Sequence, residues 1–193
     1  MARPKSFDRE EVLERAMAVF WRKGYAATSV RDLVEATGLN PGSLYDTFDD
    51  KHGLFLESVT LYRRTVVARR LEKLEGPGPA RDRIAAFFED VIRFSLGEGR
   101  LLGCLMTNST IELAARDRDA AVAVAANFAE MEAAFRQVLR RAQKAGEIAA
   151  DRSVEDLARY LTSGLQGLRV MAKAQQDEAA LRAVVHLMLA ALD

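Results

Sequence analysis

Apolar residues recur every three to four positions along this chain, in blocks separated by capping residues, glycine or proline, and that spacing predicts one helix after another. The first block opens at Asp8, with Glu11 three residues on and Phe7 placed to staple against Val12. Val12, Leu13, Ala16, Met17 and Phe20 then form one stripe. Residues 28–51, TSVRDLVEATGLNPGSLYDTFDDK, predict two short helices joined by a tight turn. Ser29 and Asp32 make a capping-box pattern, Val30, Leu33 and Val34 share a face, and Gly38 stands where a left-handed stop is wanted. Asn40 caps the next helix, with Pro41 at its first position, where a missing N–H costs nothing. A fourth helix starts from Asp49 or Asp50 and runs to about Leu74, with Leu54, Phe55, Val59, Tyr62 and Val66 inward. The GPGP at 76–79 ends it, because prolines and glycines together cannot continue a helix.

Five further helices follow from the same reasoning. They run over Asp82–Leu96, about Gly103–Ala114, about Asp119–Ala145, Ser153 to about Gln175, and Asp177 to about Leu192. The chain is therefore all-α with about nine helices. An N-terminal helix-turn-helix unit covers residues 6–66, its two key helices at 29–48, and a C-terminal helical domain covers 67–193. No alternating runs joined by hairpin turns suggest strands, and no internal repeat appears.

Composition narrows the picture. The 193 residues are 49% hydrophobic, enough for one or two modest cores. No apolar run reaches the length of a membrane span and no secretion signal opens the chain, so a cytoplasmic location without membrane contact is expected. The single cysteine excludes an internal disulfide and fits a reducing compartment. Lysine plus arginine equals aspartate plus glutamate at 28 each, and residues 1–70 carry a margin of only +2. That is far from the basic footprint of a non-specific nucleic-acid binder, so any DNA affinity must come from a few placed contacts and from pairing two domains.

Two capped helices a turn apart suit either an ordinary helical hairpin or a helix-turn-helix whose second member enters a major groove. The residues decide further. Phe20 and Gly24-Tyr25 close the first helix, and Ala27-Thr28-Ser29, Thr37-Gly38-Leu39 and Gly42-Ser43-Leu44-Tyr45 follow, with Phe48, Lys51 and Leu54-Phe55 after them. With these landmarks, the stretch from Phe7 to Phe55 resembles the DNA-binding domain of TetR-family transcriptional regulators. The resemblance implies an all-helical homodimer that blocks promoters and lets go when a small molecule occupies the C-terminal domain.

On that reading, Gly42 lets the backbone approach DNA, and Ser43 and Thr47 hydrogen-bond bases or phosphates. Free N–H groups at the helix starts place Thr28, Ser29 and Asn40 near phosphate. By resemblance, Tyr45 and Lys51 contact the DNA backbone. Asp46 departs from the aromatic or basic residues common in relatives there; it either reads a cytosine or turns away. Trp21 is expected to be a packing anchor, and Arg3, Pro4 and Lys5 a short basic arm.

The remaining stripes predict an effector pocket and a dimer face. Phe87, Phe88, Val91, Phe94, Cys104, Met106, Asn108, Phe128, Met131 and Phe135 are candidates to line an apolar effector cavity, or to form plain core. Cys104, in GRLLGCLMTNSTIELA, looks like the thiol of a branch of the family in which some members sense electrophiles or oxidants; the alternative is a small buried core residue. Leu161, Gly164, Leu165, Leu168, Leu181, Val185 and Met188 are candidates for the dimer interface. Neither His52 nor His186 sits in a nucleophile or metal arrangement, and no cofactor motif appears, so no cofactor and no catalysis are expected. A protein-interaction module that has lost operator binding, or a small helical enzyme, are the rival readings.

Overall fold

A computed structural model describes residues 7–193; the basic arm at Arg3–Lys5 lies outside the described residues. Helix α1 spans Arg9–Lys23, α2 Val30–Thr37 and α3 Pro41–Phe48. Helix α4 begins at Lys51–Tyr62 and continues through a π-helical turn at Arg63–Val67, an α turn at Ala68–Leu71 and a 3-10 turn at Glu72–Leu74. The C-terminal helices are α5 (Ala80–Leu96), α6 (Leu105–Leu113), α7 (Arg118–Lys144), α8 (Val154–Ala174) and α9 (Glu178–Ala190). Counting the 51–74 rod as one, nine helices and no strand occur among the described residues.

The caps act as their residue types dictate. Asp8 Oδ1 accepts from the Glu10 N–H at 2.8 Å, the Ser29–Asp32 capping box closes in both directions, and Asn40 Oδ1 accepts from the Ser43 N–H at 2.9 Å. Gly38 ends α2 at φ +74°, which costs a residue without Cβ nothing. Gly53 serves a different need, since a Cβ there would lie 2.4 Å from the Phe48 carbonyl oxygen. Its absence lets the start of α4 close on the end of α3.

One stripe departs from the expected register. Leu54, Phe55, Val59 and Tyr62 point inward as predicted, but beyond Tyr62 it is Val67 that is buried, while Val66 is only partly covered. The π turn inserts one extra residue per turn there and rotates the following side chains, which a constant 3.6-residue period cannot anticipate.

One continuous apolar cluster joins the two halves, running from Val12 and Phe20 through Phe55 and Tyr62 to Phe87, Phe135 and Leu165. Polar ties reinforce the junction. Trp21 Nε1 donates to the Gly103 carbonyl at 3.1 Å, and its ring meets Tyr62 edge-on and stacks with Phe94. Asp117 accepts from the Ala120 N–H, capping α7, and its other oxygen lies 2.7 Å from His52 Nε2 on α4. Among the described residues no helix is long and apolar enough to cross a membrane.

Candidate nucleic-acid interface and effector cleft

Helix α3 is amphipathic in a way that presents a face. Leu44 and Phe48 are buried in the core beneath it, while Asn40, Pro41, Gly42, Tyr45 (37% exposed) and Asp46 lie at the surface and Ser43 and Thr47 are half-covered. Within the chain, a Cβ at Gly42 would lie 3.3 Å from Asn40 Oδ1, the oxygen that caps α3, and would meet nothing else. Thr47 Oγ1 donates to the Ser43 carbonyl one turn back. Lys51 opens α4 with its ammonium 4.4 Å from the centre of the Tyr25 ring. That cation–π contact fixes the lysine beside the turn that leads into α2.

Thr28 does not fit the phosphate role expected of it. It is 1% exposed, and its hydroxyl donates to the Gly24 carbonyl at 2.6 Å, which braces the α1–α2 turn. Ser29 is exposed, but its hydroxyl is engaged twice with Asp32, accepting from the backbone N–H and donating to the carboxylate. Lys23 pairs with the same carboxylate at 2.6 Å. The Lys23 and Ser29 hydrogen bonds hold the Asp32 carboxyl well below the usual range, at about 2.

The ten expected effector-pocket residues divide. Phe87, Phe88 and Phe135 pack ring on ring with centroids 5.3 to 6.0 Å apart, and Val91, Met106 and Met131 are buried in the same apolar cluster. These six are buried in the apolar cluster, and none of them lines either of the two clefts described next. Phe128 is half-buried. Phe94 lines a cleft of about 690 Å³ with Trp21, Arg70 and Lys73. Cys104 and Asn108 line a separate cleft of about 470 Å³ between the end of α1, α6 and α8, together with Thr107, Glu112, Arg169 and Lys173.

This second cleft is the chemically distinctive one. Cys104 is 3% exposed, and its sulfur accepts from Arg169 Nη1 at 3.2 Å and from the Tyr62 hydroxyl at 3.7 Å. Burial alone would push the thiol up; the Arg169 guanidinium, with hydrogen bonds from Thr107 and Tyr62, outweighs it and leaves the thiol below its ordinary value. Burial, and the neighbouring sulfur, push the Tyr62 phenol up, so it stays a proton donor. On the cleft's other wall, the Glu112 carboxylate accepts from the Tyr25 and Ala26 N–H groups at 3.0 and 2.6 Å. Those amides form the turn that leads into α2. Gly24 makes room for this contact, since a Cβ there would lie 2.8 Å from the Glu112 carboxylate.

The expected dimer residues also need correction. Leu161, Leu165, Leu168, Leu181, Val185 and Met188 are buried within the chain's own core, and Gly164 is pressed against Met188. The helical periodicity identified the apolar stripe but not its partner, which is the same chain. The apolar surface of α8 and α9 lies a step round the helices, at Tyr160, Val170, Met171 and Leu187, with Gly167 exposed between them.

Sequence reasoning passed over Arg169, Lys173 and Glu112. Arg169 left a signal: it falls four residues after Leu165 and three before Ala172, a charge in a buried register. Glu112 left none, since its partners are backbone groups more than 80 residues away.

Residues 12–58 match the model of bacterial regulatory proteins of the tetR family, and residues 80–188 match the tetracyclin repressor-like C-terminal domain. The uncharacterized HTH-type transcriptional regulator YezE of Bacillus subtilis (strain 168) is 35% identical over the whole of both chains. The HTH-type transcriptional repressor ComR of Escherichia coli (strain K12) is 33% identical, over 89% of this chain and 82% of its own. Among solved structures, a cysteine mutant of the TetR-family regulator CifR, complexed with 26-bp double-strand operator DNA, superposes with a TM-score of 0.89 at 33% identity, covering all of both chains. The fold and its exposed second helix define a helix-turn-helix DNA-binding protein. The chain belongs to the TetR family of transcriptional regulators and is a regulator, not an enzyme.

Proposed function

We propose that this protein is a homodimeric operator-binding repressor that sets α3 of each protomer into successive major grooves, and that lets go when a small molecule or a thiol modification acts at the Cys104 cleft. The observation that carries the DNA-binding half is the solvent face of α3, with Gly42 exposed and Ser43, Tyr45 and Thr47 along the same short helix. Anchored by Leu44 and Phe48, that face is held rigidly enough to meet base edges without rearrangement. Backbone N–H groups at the starts of α2, α3 and α4, with Lys51 at the last, suit phosphates on either side. The operator complex of CifR and the repressor description of ComR support the same reading.

Two half-sites need two copies. The exposed apolar positions Tyr160, Met171 and Leu187 supply a face for a two-fold dimer. Release follows from the shared wall at Glu112, because whatever shifts α6 in the cleft also pulls on the Tyr25–Ala26 amides and so on α2 and α3. A state with altered spacing between recognition helices mismatches the operator.

The test is fluorescence anisotropy with labelled duplexes tiled across the DNA flanking the gene, against scrambled duplexes of equal length. One tile should bind at least about a thousandfold tighter than its scrambled control at physiological salt. Equal affinity for every duplex would end the operator reading. Sedimentation should show a dimer that Leu187→Glu converts to a folded monomer with weakened operator binding; an unaltered dimer would move the interface elsewhere.

A further inference from the structure

The cleft between α1, α6 and α8 holds a buried arginine that no carboxylate of the described residues pairs with. Arg169 is 5% exposed, and among the described residues no carboxylate lies within ion-pair distance of it; its one hydrogen bond runs to the Cys104 sulfur. Arginine is rarely this buried without an anionic partner, and the Cys104 sulfur, when ionised, is the one such group its hydrogen bond reaches. Lys173, one helical turn along α8, reaches into the same cleft and bonds Asn108 Oδ1 at 3.3 Å. Its stem passes over Gly103, where a Cβ would lie 3.1 Å from the lysine Cδ, so the chain bends at φ +63° beneath it. Arg22 and Lys23 complete the cationic lining, Lys23 being paired with Asp32. The one carboxylate in the wall, Glu112, is taken up by two backbone N–H groups.

We infer that this cleft is a binding site for a small organic anion, whose carboxylate or equivalent group pairs with Arg169 and Lys173 beside the Cys104 sulfur. The inference deepens the effector reading above and rests on it only for its regulatory meaning; the site itself is independent of DNA. About 470 Å³ accommodates a compact metabolite and not a long lipid. The Trp21, Ile111 and Val170 side chains in the lining supply the apolar contact for its carbon skeleton. An anion seated there relieves the Arg169 charge and competes for the Lys173–Asn108 bond, which tethers α8 to α6 and, through the Asn108 bond to the Leu102 carbonyl at 2.8 Å, to the loop that Trp21 holds.

The single cysteine makes the test direct. Iodoacetate and iodoacetamide alkylate a thiolate by the same displacement: the sulfur–carbon bond forms, the carbon–iodine bond breaks, iodide leaves and the thiol proton passes to buffer. The reagents are similar in size and differ in charge, so the ratio of their rates reports anion recruitment separately from thiol acidity. Intact-mass kinetics on the full-length protein should give an iodoacetate-to-iodoacetamide ratio about tenfold or more above that of the same protein in urea, since a cleft with an excess of cationic side chains concentrates an anion. Arg169→Gln should return the ratio close to the unfolded value and Lys173→Gln should lower it severalfold, while Lys144→Gln on α7 leaves it unchanged. Lys173 is exposed, so its variant keeps the test valid if Arg169→Gln misfolds.

A native ratio at or below the unfolded one would overturn the inference. So would equal slowing of both reagents in Arg169→Gln with the ratio intact, which would reduce Arg169 to an activator of the thiol. Absence of reaction with either reagent in the native protein, with full reaction in urea, would close the cleft to ligands and overturn it too. Operator anisotropy on the same samples tells the readings apart: a high ratio with no operator binding sinks the repressor and leaves the anion site standing.

Discussion

The α2–α3 unit and the Cys104 cleft differ in where their contacts come from. In α2–α3 each defining bond spans a few residues: Ser29 with Asp32, Asn40 with Ser43, Thr47 with Ser43. In the cleft the defining contacts join Tyr62 to Cys104, Cys104 to Arg169, and Glu112 to Tyr25 and Ala26, across 42 to 87 positions. The first region makes a surface by local capping and leaves it for an outside partner. The second assembles polar groups in a low-dielectric interior, where a charge left unmatched is costly and therefore informative. DNA recognition can thus tolerate single changes on α3 with little loss of fold, whereas changes around α8 propagate.

The largest effect that would break this contrast lies in the core of the second region. Leu165→Arg should unfold the chain, at a cost of about 4 kcal/mol or more, because the arginine would be buried with no partner. A folded monomer in a thermal melt with sedimentation would instead show Leu165 at a dimer face. Next, Gly53→Ala should cost about 2 kcal/mol by driving a methyl against the Phe48 carbonyl where α3 meets α4. An unchanged melting temperature would mean that this junction is looser than its geometry.

Smaller effects belong to the DNA face. Lys51→Ala should weaken all duplexes about tenfold and lower the salt slope by about one. Ser43→Ala should alter which duplex is preferred and leave the slope alone; a uniform loss with an unchanged slope for both would exchange their roles. The smallest is electrostatic. Asp32 has its carboxyl held at about 2, below its ordinary value near about 4, so its contribution is present above the upper value and is lost as pH falls through the lower one. The gap in melting temperature between the protein and its Asp32→Asn variant should be constant at neutral pH and close between pH about 4 and about 2. A gap that persists at the acid end would assign the effect to helix propensity instead.

Much of the fold was legible because helices are written locally. Asp8, Ser29, Asn40 and Ser153 each cap the helix that follows them, and the GPGP turn ends the 51–74 rod. The register slip at Val66 and Val67 was not legible, since a π turn leaves no residue signature in so short a run. The free N–H groups at the start of α2 place Thr28 near phosphate in the sequence reading, yet its hydroxyl turns back to Gly24. The leucine stripe of α8 showed an apolar face without saying whether α9, α5 or another molecule would cover it.

By itself the sequence determined which residues form helices, where each starts and stops, and that one short helix carries a displayed polar face, because capping and amphipathic spacing act over four residues. Tertiary structure alone decided that Phe87, Phe88 and Phe135 pack on one another, and that Arg169 lies against Cys104. It also decided that Glu112 grips the turn ahead of α2. Burial and electrostatics depend on what the folded chain brings from far away, and a linear pattern carries no record of that distance.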